Sequence, residues 1–87
     1  MDYGAIRIDK SYMSMMLAEY FQKQYGTAFR VHIYDKPDFD GTVVAIAWKT
    51  ASGEWLSHKI EADTTSGRVR IAPEDMSALE VKVRMTT

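Results

Sequence analysis

The stretch that decides the fold runs from Thr42 to Ala62 and reads TVVAIAWKT, then ASG, then EWLSHKIEA. Two runs rich in β-branched and aromatic residues flank a short turn that contains a glycine. Such side chains favour strands and glycine favours the turn between them, so this pattern predicts a β-hairpin.

The register of the hairpin follows from which side chains share a face. A two-residue loop, Ser52-Gly53, would place Trp48 opposite Ser57 and mix apolar and charged residues on both faces. A three-residue loop, Ala51–Gly53, places Trp48 opposite Leu56 and makes one face almost wholly apolar. We predict the second register, because a one-residue slip moves every side chain to the other face. It also gives the glycine the left-handed position of a G1 bulge. The other predicted pairs are Thr50–Glu54, Lys49–Trp55, Ile46–His58 and Val44–Ile60.

The composition is that of one small globular domain spanning residues 1–87. Of these residues 46% are hydrophobic and 26% are charged, which is ordinary for a soluble domain. The absence of cysteine excludes disulfides, thiolate catalysis and zinc–thiolate sites. No signal peptide and no apolar run near the roughly 20 residues of a membrane span is found, so we expect a cytoplasmic protein without a membrane role.

The remaining elements are predicted from periodicity and turn residues. The helix has one apolar stripe at helical spacing, formed by Met13, Met16, Leu17, Tyr20 and Phe21. The predicted elements are a strand at Ala5–Ile8, a helix at Tyr12–Tyr25 ended by Gly26, strands at Thr27–Tyr34 and Arg68–Ala72, a helical turn at Pro73–Ser77 and a strand at Leu79–Met85.

Together these elements predict an α+β fold, a single antiparallel sheet of about five to six strands with one amphipathic helix packed on one face. The strand at Arg68–Ala72 is expected to pair Val69 with Ile60 and Arg68 with Glu61, which matches apolar and opposite charges across the strands. The order of the strands is left open.

A metal site is the first chemical possibility, in the loop Asp35–Gly41. As an EF-hand it would place Lys36 first and Ala47 twelfth, where acidic ligands are required, so the EF-hand pattern fails. A weak site using Asp38 and Asp40 remains as an alternative to an ordinary turn. We therefore expect no metal and no cofactor.

Catalytic arrangements are the second possibility. Ser57 and His58 are adjacent, but a strand directs them to opposite faces, so they do not form a nucleophile and base. His58 lies on the inner face and is expected to be a hydrogen-bonded residue of the core or of its edge. No glycine-rich phosphate loop occurs. The chain is therefore predicted to be no enzyme, with no catalytic residue.

The outer sheet face is the most informative feature for function. Its acids are only Glu61 and Glu80, so a basic, partly aromatic surface is predicted on a chain of net charge -1. Lysine and arginine on a sheet face also serve simply to keep that face solvated. The sequence leaves open whether this surface binds a partner or only contacts solvent. The predicted outward positions are Arg30, His32, Tyr34, Lys49, Trp55, Lys59, Arg68, Arg70, Lys82 and Arg84. The predicted partner-binding residues are Trp55, Lys49, Lys59, Arg68, Arg70, Arg30 and Tyr34.

These observations predict a non-catalytic interaction module. Its partner is expected to be a protein, acidic or part of a nucleic-acid-processing complex. In general character the chain resembles the small inhibitors and accessory proteins of phages and mobile elements, anti-CRISPR proteins included. Two alternatives stay open. One is direct binding of single-stranded nucleic acid by stacking on Trp55 and Tyr34. The other is a self-assembling structural protomer that pairs its strand edges. The oligomeric state is not predicted.

Overall fold

The computed structural model describes residues 10–35, 41–65 and 68–87, without the side chains of Thr64, Thr65 and Arg68. The predicted strand at Ala5–Ile8 and the candidate ligands Asp38 and Asp40 lie outside the described residues. The elements are α1 (Lys10–Tyr25), β1 (Phe29–Asp35), β2 (Thr42–Lys49), β3 (Trp55–Thr65), β4 (Arg68–Arg70) and α2 (Pro73–Thr86).

The predicted class, α+β with a single antiparallel sheet, is confirmed. The sheet is curled and its strands lie in the order β1-β2-β3-β4. Within the described residues it has four strands, not five or six, and two helices pack on it instead of one. Both helices cover the same face, because Phe21 of α1 and Leu79 of α2 share one buried cluster with Val44, Ile46 and Trp48. No helix of the described residues is long and apolar enough to cross a bilayer.

The predicted register of the hairpin is confirmed. The amide of Thr50 donates to the carbonyl of Glu54 at 2.7 Å, and the amide of Gly53 donates back to Thr50 at 3.0 Å. Gly53 has a φ of 88°, the left-handed conformation that a glycine adopts without strain. The observed pairs include Lys49–Trp55, Trp48–Leu56, Ile46–His58 and Val44–Ile60.

The predicted pairing of β3 with β4 is wrong. β3 continues to Thr65, so Arg70 lies opposite Asp63 and Val69 opposite Thr64, while Arg68 lies opposite Thr65 and not Glu61. The predicted and observed registers differ by four residues. An even shift keeps every side chain on its own face, so the alternation of apolar and polar residues did not distinguish the two. The observed register leaves two residues between the strands, the commonest hairpin loop.

The predicted strand at Leu79–Met85 is also wrong, because this segment forms most of α2. The run alternates between apolar and charged residues, but Leu79 and Val83 are also four apart, which is a helical spacing. These two side chains are buried, whereas Val81 is 57% and Met85 81% exposed. Pro73 stands at the start of the helix, where its missing N–H costs nothing.

The inner face of α1 is rotated relative to the predicted stripe. Phe21 is fully buried, and the other residues of α1 that pack on the core include Ala18 and Tyr25. Met16 and Tyr20, predicted for the core, are about half exposed. Apolar residues surround most of this helix, so its periodicity was compatible with more than one orientation.

Glu80 and Arg84, predicted on the outer sheet face, instead lie on α2, near Tyr25 at the end of α1. They form an i,i+4 ion pair at 3.1 Å, and the guanidinium of Arg84 lies 5.5 Å from the centre of the Tyr25 ring. Burial, and then the negative charge of Glu80, raise the pKa of Tyr25 above its usual value of 10.0. Arg84 therefore connects α2 to the last residue of α1, and Glu80 pairs with Arg84 from the preceding turn.

Candidate functional site

The outer face comprises the side chains that point away from the two helices. The pairing of β1, β2 and β3 arranges these residues in rows across the sheet. The rows, taken from the hairpin turn, are Lys49–Trp55, Arg30–Ala47–Ser57, His32–Ala45–Lys59 and Tyr34–Val43–Glu61. Asp63 of β3 and Arg70 of β4 continue this face.

The middle of the outer face is formed by small residues of β2. Ala45 and Ala47 are half-buried, while longer side chains of β1 and β3 lie on either side. Val43, further from the hairpin turn, also points outward but is only 4% exposed. Arg30 and Trp55 therefore have only a small alanine side chain between them on β2.

Trp55 is a large exposed aromatic residue at the hairpin end of the outer face. It is 40% exposed, and the guanidinium carbon of Arg30 lies 4.4 Å from the centre of its ring. A cation–π contact of this kind contributes about 0.5–1 kcal/mol at an exposed site. The contact joins β1 to β3 across Ala47. It favours one orientation of the indole before any partner arrives.

A second aromatic pair lies on β1. The rings of His32 and Tyr34 are stacked with their centres 5.4 Å apart and their planes 26° apart. These residues are two positions apart on one strand, so both rings are on the outer face. With Trp55 they give that face three aromatic side chains.

The charges of the outer face are separated along its length. Arg30, Lys49 and Lys59 surround the hairpin end, which we call the basic half. At the other end Arg70 lies opposite Asp63, so opposite charges are mixed there. Lys82 and Arg84, which were predicted outward, lie on α2 in the helical layer. The outer face is therefore less basic than predicted, and its positive charge is concentrated in the basic half.

The predicted partner-binding residues are only partly brought together. Trp55, Lys49, Arg30 and Lys59 occupy three neighbouring rows, while Tyr34 lies in the next one. Arg70 lies on β4 at the mixed end, and the backbone of Arg68 is also in β4. The stack of Arg30 on Trp55 was not predicted, because it depends on the pairing of β1 with β2.

His58 lies on the inner side of the sheet and is hydrogen-bonded at the edge of the core, as predicted. Its Nδ1 is 3.1 Å from the ammonium group of Lys82. A lysine only donates, so Nδ1 accepts and the proton of the neutral ring is on Nε2. Burial, and then the charge of Lys82, lower the pKa of His58 below 6.5, against a smaller opposing effect of Asp75.

This arrangement predicts a pH-dependent stability. Below pH 6.5 the unfolded chain binds more protons at residue 58 than the folded chain does. The free energy of unfolding is therefore smaller there than at higher pH. The contribution of His58 is thus complete above pH 6.5 and is lost as the pH falls through the lowered pKa of the folded state. Urea unfolding of wild type and His58→Gln between pH 8 and 5 should show the steeper loss in wild type. The same pH dependence of stability in the two proteins would contradict the assignment of this effect to His58. His32 is present in both proteins, so it does not contribute to a difference between them.

No group of three or more potential metal ligands occurs among residues 10–35, 41–65 and 68–87. Ser57 and His58 point to opposite faces of β3, as predicted, so they form no catalytic pair. No protein-family model, curated protein or solved structure matches the chain. Any assignment of function therefore rests on the surface chemistry of the chain itself.

Proposed function

We propose that the chain is a non-catalytic interaction module that binds an acidic surface of a partner protein through the basic half of the outer face. The observation that supports this most directly is the stack of Arg30 on the exposed ring of Trp55. Tryptophan, tyrosine and arginine are the residue types that most often dominate the binding energy of protein interfaces.

Three physical features favour this surface. The indole of Trp55 is already oriented by Arg30, so less side-chain entropy is lost when a partner covers it. Ala47 is small, so Arg30 and Trp55 meet above it and present one continuous surface to a partner. Lys49 and Lys59 add charge that steers an acidic partner and speeds encounter.

The partner is proposed to be an acidic protein or a protein of a nucleic-acid-processing complex. The support for this class is the local positive charge of the basic half on a chain whose net charge is -1. The resemblance to small phage and mobile-element inhibitors rests instead on the short, cysteine-free sequence and on the absence of catalytic motifs in it. An inhibitor of this kind needs only a binding surface, since it acts by occupying a site of its target.

The test uses Trp55→Ala and, as a matched control, Tyr12→Ala. Tyr12 is an exposed aromatic residue of α1, in the opposite layer. Proteins captured from the native cell by the wild-type chain would be titrated against wild type, Tyr12→Ala and Trp55→Ala by calorimetry. We expect Trp55→Ala to weaken binding by about thirtyfold or more, which corresponds to about 2 kcal/mol.

Circular dichroism would verify that each variant is folded. A folded Trp55→Ala chain that binds as tightly as wild type would mean that the basic half is only a solvated surface and not the binding site. Charge reversal at Lys59 should slow association and weaken its salt dependence more than reversal at Arg70, because Arg70 lies beside Asp63.

Single-stranded nucleic acid is the second candidate partner, and the stacked rings of His32 and Tyr34 favour it. Successive bases stack on such side chains, while lysine and arginine contact the phosphates. Fluorescence anisotropy with a labelled 12-nucleotide strand tests this directly. Binding that weakens steeply with salt and is lost in Tyr34→Ala would favour nucleic acid over an acidic protein.

A further inference from the structure

An edge of the sheet lies directly beside the basic half. β3 runs from Trp55 to Thr65, but β4 pairs only with its residues 63–65. Before that point, no strand of the described residues pairs with β3 on the side away from β2. We call the backbone from Trp55 to Lys59 on this side the β3 edge. Both of these residues belong to the surface proposed above to bind a partner.

The hydrogen bonds of the hairpin show which backbone groups face the β3 edge. The pair closest to the turn is bonded, because the amide of Thr50 donates to the carbonyl of Glu54. Bonded and non-bonded pairs alternate along an antiparallel ladder, so the even-numbered residues of β3 bond to β2. Ser57 and Lys59 therefore direct their amide and carbonyl groups away from β2. A row of such groups is a template for an added strand.

A groove of about 350 Å³ lies on the inner side of this edge, between β3 and the last turns of α2. Leu56 lines it from the strand and Met85 from the helix, and most of the Met85 side chain is exposed. An added strand directs alternate side chains to opposite faces. Every second side chain of a strand at the β3 edge would therefore point towards this apolar groove.

The charges beside the edge are positive on both faces. Lys59 points to the outer face, whereas Lys82 lines the groove on the inner side. Neither lysine takes part in an ion pair among the described residues. Lys82 donates to the neutral ring of His58, which does not offset its charge. No acidic residue in the described part of the chain lines the groove, so both cations favour a partner that carries carboxylates.

We propose that the acidic partner of the basic half supplies an extended segment, with acidic and apolar residues in alternation, that adds to the β3 edge as a strand. Its backbone forms hydrogen bonds with Ser57 and Lys59. Its acidic side chains lie on the outer face beside Lys59, and Lys82 adds attraction from the inner side. Its apolar side chains pack on Leu56 and Met85, whose flexible thioether adapts to their shape. This inference rests on the proposed function and states how the same surface recognises its partner.

The probe is an acetylated and amidated heptapeptide of alternating glutamate and valine, added to the full-length chain. Amide hydrogen exchange measured by NMR should slow by about tenfold or more at Ser57 and Lys59 when the peptide is bound. Each of these amides then donates a new hydrogen bond, which must open before exchange. The control peptide carries lysine in place of glutamate and should not bind.

Two charge reversals separate the local charge at the edge from the net charge of the chain. Lys59→Glu places a carboxylate beside the bound glutamates and should weaken binding of the glutamate peptide by about tenfold or more. Lys23→Glu changes the net charge equally, but Lys23 is an exposed residue in the last turn of α1. Its reversal should change the affinity by less than about twofold, because solvent and salt screen distant charges.

The same experiment distinguishes this inference from the proposed function. Slower exchange at Ser57 and Lys59, together with weaker peptide binding by Trp55→Ala, would support both. Slower exchange with unchanged binding by Trp55→Ala would support the added strand and contradict the proposed role of Trp55. Binding that depends on Trp55 but leaves exchange at the two amides unchanged would support the outer-face site and overturn the added strand.

Other results would also overturn the added strand. One is that the glutamate peptide does not bind at millimolar concentration, and another is that the glutamate and lysine peptides bind equally. A third is slow exchange of the Ser57 and Lys59 amides in the chain without peptide, since the edge would then be covered by the chain itself or by a second copy.

Discussion

Trp48→Ala is expected to lower the free energy of unfolding by about 3–5 kcal/mol, a large part of the stability of so small a domain. Trp48 is 2% exposed and lies on the inner face of β2. Its ring stacks on that of Phe29, with centres 6.4 Å apart. Its indole nitrogen donates to the hydroxyl of Thr86 at 2.8 Å, so the same side chain joins the sheet to the last turn of α2. The substitution therefore opens a cavity and removes a contact between the two layers.

The measurement is urea unfolding followed by circular dichroism, since fluorescence would lose its main reporter. Trp48→Phe keeps an aromatic ring without the donor and should cost much less than the alanine variant. Trp55→Ala is the matched control, because it removes the other tryptophan of the same hairpin from the outer face. Wild-type stability in Trp48→Ala together with a large loss in Trp55→Ala would mean that the two faces of the hairpin are reversed.

Leu79→Ala should destabilise the chain by about 2–5 kcal/mol, and Val81→Ala should have an effect below about 0.5 kcal/mol. Leu79 is fully buried in the cluster that includes Phe21 and Trp48, whereas Val81 is mostly exposed. In a helix these two residues face different directions. In the strand suggested by the alternating pattern they would share one face, and both substitutions would be costly.

Unfolding of the two variants under identical conditions decides between these structures. Val83→Ala serves as the positive control, because Val83 is four residues after Leu79 and is also buried. We expect Val83→Ala to cost more than Val81→Ala although both remove the same atoms. Equal losses at Val81 and Val83 would favour a strand over α2.

The central hairpin was predictable because the information for it is local. Trp48 and Leu56 are eight residues apart, and the glycine between the strands limits the turn to a few geometries. Their apolar side chains must face the same side, so a single register remained. The assignment of Trp48 to the inner face and Trp55 to the outer face followed from the same argument.

The stack of Arg30 on Trp55 was not predictable, because it depends on strand order. Arg30 reaches Trp55 only because β1 pairs with β2 in one register, which places Ala47 between them. Residues that meet across two strands leave no pattern in the neighbouring sequence.

The sequence by itself determined the α+β class, the hairpin and its faces, because alternation of apolar and polar residues specifies a face wherever one side of a strand is buried. Only the tertiary structure decided that Leu79–Met85 is helical, how α1 is rotated and where β4 pairs. In each case two arrangements satisfied the local pattern equally. Packing selected between them, since burying Leu79 and Val83 against the sheet favours a helix that begins at Pro73.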